Sequence, residues 1–177
     1  MTIYYQKMTS PIGSIFIAAD KVYLRAITFD RNEEKIRATL SRFRHERNPI
    51  ITQTHAQLQE YFSGIRTEFD LPIAFTGTPF QNQTWRALLT IPYGETRSYS
   101  EQALVIGNPK AVRAVGRTNG LNPIGIVVPC HRVIGKSGKL TGYAGGLDKK
   151  VFLLNLENEV LNKLNTINGY YDNPGSM

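Results

Sequence analysis

The chain of 177 residues is poor in the residues on which metal centres and disulfide scaffolds are built, with one cysteine, Cys130, and three histidines, His45, His55 and His131. A lone cysteine excludes an intramolecular disulfide framework and a cysteine-rich zinc site, so no metal is expected. Long apolar runs are also missing. The longest nearly uncharged stretch, around 124–130, falls far short of the roughly 20 residues that a membrane helix needs. The N-terminus lacks a basic-then-apolar signal pattern, so a soluble, cytoplasmic protein with no membrane partner is expected. No single period runs through the sequence, which excludes a coiled coil. The hydrophobic share of 41% excludes a disordered chain and supports one large or two small domains.

Positive charge is present and concentrated. Residues 80–150 carry ten Lys and Arg against three acidic residues, Glu95, Glu101 and Asp148, whereas the rest of the chain balances eleven against eleven. A basic half beside a neutral half points to a polyanion as partner of the first, because phosphate neutralisation supplies most sequence-independent nucleic-acid affinity. A basic surface that serves only solubility is the alternative at this level.

The neutral half reads as a small sheet with helices. Residues 14–19 and 22–29 are β-rich runs separated by Asp20-Lys21 and predict a hairpin, with 3–7 as a further strand. Ile36, Leu40 and Phe43 recur at helical spacing after Asn32. A second helix is expected from Thr54 to Ser63, with Gln57 completing a capping box and Gly64 as the stop. The stretch 70–78, broken by Pro72 and Gly77, predicts an edge strand and linker.

The basic half reads as mostly helical. Thr78-Pro79 is an N-cap with proline at the first helical position, opening a helix that should end at Ile91-Pro92. Ser98 and Glu101 form a capping-box pattern for a short helix to about Ile106, Gly107 breaks it, and Asn108-Pro109 starts another. Helix, glycine-containing turn and helix make a helix-turn-helix pattern. On its second helix Lys110, Arg113 and Arg117 are spaced to share one face around the small Ala114, while Val112 and Val115 lie opposite for packing. A merely solvated basic face satisfies the same spacing.

An apolar strand over 124–128 is expected to deliver Pro129-Cys130-His131-Arg132 to a glycine-rich loop. Cationic His131 and Arg132 would favour the thiolate of Cys130, although a cysteine after an apolar strand also serves as a small core residue. A last helix, from about Leu147 to Leu164, places Glu157 on the stripe of Leu153, Val160 and Leu164, where a carboxylate needs a partner. His131 is the best candidate. The result is a Cys130–His131–Glu157 series, with the first contact expected to pass through a water because adjacent residues point apart.

These residues carry a specific resemblance. Val128-Pro-Cys-His-Arg-Val-Ile-Gly is similar to the active-site signature of the O6-alkylguanine-DNA alkyltransferases. Thr78-Pro-Phe-Gln, Ile91-Pro-Tyr-Gly-Glu-Thr-Arg-Ser-Tyr-Ser, Gly107-Asn-Pro-Lys-Ala-Val-Arg-Ala-Val-Gly, Asn122-Pro and Gly142-Tyr-Ala-Gly-Gly-Leu stand around it in the family's order. Ser10-Pro-Ile-Gly and Tyr61-Phe-Ser-Gly-Ile-Arg resemble its more variable N-terminal domain.

The resemblance implies a mixed α+β fold. A ribonuclease-H-like sheet-plus-helix domain would occupy 1–76, and a mostly helical domain with a winged-helix-like helix-turn-helix and the active-site cysteine would occupy 77–170. It also implies cofactor-free, single-use repair by a cytoplasmic, nucleoid-associated monomer. Double-stranded DNA is entered from the minor groove, O6-alkylguanine is extruded because its alkyl carbon is unreachable in the stack, and the alkyl group passes irreversibly to Cys130. O4-methylthymine would be a further substrate.

By position, Arg113 would fill the gap in the stack, with Lys110, Ala114 and Arg117 beside it on the DNA. Tyr99 would turn the phosphate and then hydrogen-bond the base, Asn122 would brace the active-site turn, and Tyr143 would wall the alkyl pocket. The carbonyls of Cys130 and Val133 would accept from the guanine amino group. Ala144 stands where some relatives have serine, which matters only if a hydroxyl rather than a backbone N–H meets O6. The zinc site of some relatives needs cysteines that this chain lacks. A damage-sensing module of the alkyltransferase-like type is the alternative, but those members replace the cysteine. A small-molecule cysteine hydrolase would have no use for a basic recognition helix.

Overall fold

The computed structural model describes residues 1–29 and 33–171, so the expected cap Asn32 lies outside the described residues. Three antiparallel strands, β1 (Tyr4–Ser10), β2 (Gly13–Ala19) and β3 (Leu24–Phe29), form a meander in the order β1-β2-β3. The second hairpin closes at Asp20, whose Oδ1 accepts from the backbone N–H groups of Val22 and Tyr23 at 2.7 and 2.8 Å. Those two residues are thereby held in the turn, and β3 starts at Leu24 rather than Val22.

Helix α1 (Glu33–Leu40) is followed by α2 (Pro49–Phe62). The expected start of α2 at Thr54 is wrong. Asn48 is the N-cap, accepting from Ile51 N at 2.9 Å, and Pro49 opens the helix. Thr54 lies inside it, its hydroxyl donating to Ile50 O. Gln57, expected in a capping box, exchanges two hydrogen bonds with the backbone of Asp70. The expected edge strand over 70–78 reduces to one parallel bridge between Ile73 and Leu24, because Pro72 and Gly77 leave little backbone for a ladder.

Helix α3 (Pro79–Leu88) has the Thr78–Gln81 capping box and ends earlier than expected, its last turn tightening through Leu89, Thr90 and Ile91 before Pro92. Strand β4 (Arg97–Ser98) leads into α4 (Tyr99–Val105), capped reciprocally by Ser98 and Glu101. Gly107, at φ 74°, turns the chain towards α5 (Val112–Asn119). Residues 108–111 form a turn, so α5 starts four residues later than Asn108, and Lys110 stands in the turn instead of on the helix face. Val115 is buried with Ala103 and Ile106 in a small core that joins α3, α4 and α5, with Val112 packed against it. Gln102 and Asn119 exchange two buried amide hydrogen bonds that fix α4 against α5.

Residues 124–128 are not a strand. Ile124 makes a parallel bridge to Ile27 of β3, after which the chain turns tightly, with Ile126 at φ 69° and fully buried. A β-branched residue adopts that conformation only where its surroundings hold it. The turn delivers a 3-10 turn (Cys130–Arg132) and β5 (Val133–Ile134), which pairs in parallel with β4. Helix α6 (Leu147–Tyr171) runs past the expected end at Leu164, which is exposed. Its buried stripe is Lys150, Leu153, Glu157 and Val160. One hydrophobic core spans both halves of the chain, from Ile15, Ile27 and Tyr61 to Trp85, Ile124 and Leu153.

Candidate active site

Cys130 is buried at the start of the 3-10 turn. Asn122 holds it in place. The Asn122 amide nitrogen donates to Val128 O at 2.8 Å and to Cys130 Sγ at 3.2 Å, while its Oδ1 accepts from Ile124 N at 3.0 Å. One side chain therefore spans the whole turn that carries the thiol.

His131 lies beneath, fully buried, with Nε2 at 2.7 Å from Glu157 Oε1. Its Nδ1 meets no hydrogen-bonding group among the described residues. Glu157 is the hub. It also accepts from Tyr61 Oη at 2.8 Å, from Arg132 Nε and Nη2 at 2.9 Å each, and from Gly94 N at 3.2 Å. Burial alone would raise its carboxyl pKa, but the hydrogen bond from His131 and the guanidinium of Arg132 outweigh it and bring the group down to about 2.

The expected source of thiolate stabilisation is not the one found. Burial pushes the Cys130 thiol up and the His131 imidazole down, so the resting pair is neutral. Arg132 turns away from sulfur to bind Glu157 and Ile91 O. The cation that offsets the burial of Cys130 is Lys150, acting with the Asn122 amide. Lys150 was missed in the sequence. It precedes Leu153 and Glu157 by three and seven residues, so it falls on the same buried stripe as Glu157. Its ammonium donates to three carbonyls, of Val133, Thr141 and Gly142. Tyr61 was missed as well, although a buried tyrosine needs a partner for its hydroxyl.

The thiol faces a cavity of about 260 Å³ lined by Tyr99, Gly116, Asn119, Gly120, Gly142, Tyr143 and Ala144. Tyr99 stands at the first position of α4, its hydroxyl donating to Thr141 O at 3.0 Å. Tyr143 is buried, with its ring 5.7 Å from that of Phe29. The floor from α5, Gly116 to Gly120, was not anticipated. A Cβ at Gly116 would meet the Tyr99 ring at 3.6 Å, an ordinary van der Waals contact, so this part of the floor lies directly against Tyr99. Val133 lies outside the lining, and its carbonyl accepts from Lys150 at 2.5 Å. Arg113, Ala114 and Arg117 are exposed on α5, and Lys110 is exposed before it.

A buried thiol, a histidine–carboxylate pair and an adjoining basic helix-turn-helix define a class: thiol-bearing proteins whose reactive group opens beside a nucleic-acid-binding element. Comparison with known proteins gives the family. Residues 79–159 match the 6-O-methylguanine DNA methyltransferase, DNA binding domain, and residues 3–75 match the ribonuclease-like domain of the same proteins. The chain belongs to the 6-O-methylguanine DNA methyltransferase family. It is 51% identical over 155 residues to the methylated-DNA–protein-cysteine methyltransferase of Methanosarcina acetivorans, covering 88% of this chain and 98% of that one. It is 46% identical over 157 residues to the constitutive enzyme of Bacillus subtilis, covering 87% and 94%. The crystal structure of Mycobacterium tuberculosis OGT in complex with DNA superposes with a TM-score of 0.82 at 46% identity, covering 89% and 94%.

Proposed function

We propose that the protein repairs DNA by moving a methyl or larger alkyl group from O6-alkylguanine in duplex DNA to Cys130, once per molecule. The observation that carries this reading is the placement of Cys130 Sγ, held by Asn122 at 3.2 Å and facing a cavity between α5 and the 141–144 loop. The cavity suits a base taken out of the stack, and Arg113 on the exposed face of α5 is placed to occupy the space the base leaves. Lys110, Ala114 and Arg117 would meet the backbone and minor groove.

In the chemical step the thiol proton passes to His131 Nδ1, directly or through a water, and Glu157 stabilises the imidazolium formed. The sulfur attacks the alkyl carbon in line. The S–C bond forms as the C–O6 bond breaks, and the released electron pair stays on the guanine oxygen and ring, which regains a proton. A thioether does not readily hydrolyse, so the protein is spent. Tyr99 would hydrogen-bond the base, Tyr143 and Ala144 would bound the alkyl group, and the Cys130 and Val133 carbonyls would take the amino group. The same reading divides the chain into domains at 76/77, needs no cofactor, extends to O4-methylthymine and places a monomer in the cytoplasm with the DNA. No described helix is long and apolar enough to cross a membrane.

Incubation with a duplex containing O6-methylguanine, followed by intact-protein mass spectrometry, should show a stoichiometric gain of one CH2 located on Cys130. Multiple turnovers, or an unmodified protein after the lesion has disappeared, would refute the reading.

A further inference from the structure

Tyr61 is among the largest fully buried side chains of the protein and belongs to α2, 96 residues from Glu157 in the chain. Its hydroxyl binds Glu157 Oε1, the same oxygen that meets His131 Nε2. Phe62, Phe69 and Tyr93 surround the phenol with ring centroids at 5.5, 5.4 and 6.1 Å, which fixes its direction. Burial, with the Glu157 charge next, holds the phenol pKa well above its usual range, so it acts as a donor at every working pH.

Arg132 Nη2 also donates to Oε1, at 2.9 Å, and a carboxylate oxygen shared among several donors is a weaker acceptor towards each. Groups facing the Glu157–His131 pair come from four further places besides α2. His131 and Arg132, with Cys130, belong to the 3-10 turn; Tyr93 and the Gly94 N–H belong to the connection before β4; Lys150 lies on α6; and Tyr143 lies in the loop that precedes α6. Tyr93 and Tyr143 are uncharged at neutral pH, since burial raises both. Arg132 and Lys150 are the cations of the set. Tyr61 is the neutral donor that competes with His131 for Oε1.

We propose that Tyr61 is a positioning residue for alkyl transfer, aiming Glu157 at His131 while weakening its pull on the imidazole proton, so that the Cys130–His131 pair stays neutral until substrate is bound. The N-terminal half thereby reaches the chemistry through one hydroxyl. This rests on the reading of His131 as the base for Cys130.

The test is Tyr61→Phe in the full chain, with single-turnover methyl transfer from an O6-methylguanine duplex followed against pH, and nitrogen NMR of the histidine rings. Loss of the competing donor should strengthen the His131–Glu157 bond. The midpoint of the rate profile should move up by about half a pH unit, because a more basic His131 is freed to act as base only at higher pH, equivalent to about threefold in the ionisation ratio, and the His131 Nε2–H resonance should move downfield. Site-specific fluorotyrosine at position 61, a stronger donor with nearly the same packing, should move both the other way. Ile17→Val, in the core of β2, should lower stability and move neither. If the wild-type profile follows the His131 titration and neither Tyr61 replacement moves it, Tyr61 is only a packing residue. If the wild-type profile is unconnected with His131, the base assignment falls and this inference with it.

Discussion

Lys150 Nζ lies 2.5 Å from the carbonyl oxygen of Val133, tying the first turn of α6 to the strand that follows the reactive cysteine. The same ammonium reaches the carbonyls of Thr141 and Gly142, so one cation gathers the thiol strand and the cavity loop. Burial pulls its own pKa down, and the neighbouring Cys130 pulls it back up.

Lys150→Met should move the transfer profile in the same direction as Tyr61→Phe, but through the thiol as well as the imidazole. Without the cation the thiol pKa rises further, the transfer profile moves to higher pH, and the rate at neutral pH falls. Three carbonyls lose a charged donor, so stability should fall by about 1–3 kcal/mol. Stopped-flow transfer across pH and urea denaturation measure the two effects separately, and an unchanged profile would restrict Lys150 to holding the loop.

Cys130→Ser should abolish transfer and leave DNA affinity nearly unchanged. The hydroxyl fits the same volume but is a far weaker nucleophile at neutral pH. Intact mass after incubation with the methylated duplex, together with a binding titration at fixed salt, checks both halves of the expectation.

Arg113→Ala should slow repair of O6-alkylguanine in duplex DNA much more than reaction with the free base, because only the duplex requires extrusion, at a cost of a few kcal/mol. Arg113 is exposed, so stability should change by less than about 0.5 kcal/mol. Equal losses on both substrates would place Arg113 outside the extrusion step.

Acid should destabilise the protein through the buried pair. Glu157 is brought from 4.5 to about 2 on folding, so its contribution, on the order of 3 kcal/mol, is present above pH 4.5 and is lost as pH falls towards 2. His131 is also depressed on folding, from 6.5, so the unfolded chain takes up its proton first and stability begins to fall below pH 6.5. Urea midpoints between pH 7 and pH 3 should decline, and Glu157→Gln should lie lower throughout because Arg132 is left buried without its partner, with a shallower decline.

Local signals were legible wherever a short-range rule governed them. The capping boxes at Thr78 and Ser98, the glycine break at 107 and the inward faces of Val112 and Val115 all stand as the sequence reading has them. So does the pairing of His131 with Glu157, because a carboxylate on an apolar stripe has few ways to be satisfied. Failures arose where a distant group competed. Gln57 has capping-box spacing from Thr54 but is taken by Asp70, and the apolar run 124–128 looks like a strand but is bent by its single bridge to Ile27. The thiol environment was misjudged for a related reason. Adjacency in sequence put Arg132 beside Cys130, whereas the carboxylate behind it attracts the guanidinium more strongly.

The bridge between Ile27 and Ile124 joins the edge of the N-terminal meander directly to the turn that presents the thiol. The main hydrophobic interior belongs to neither half alone, since Ile27 and Phe29 on one side and Ile124 and Tyr143 on the other are in the same cluster. Unfolding should accordingly be cooperative across the two matched regions. A calorimeter should record a single heat-absorption peak, and the segment 77–170 expressed alone should expose apolar surface and fail to melt as a unit.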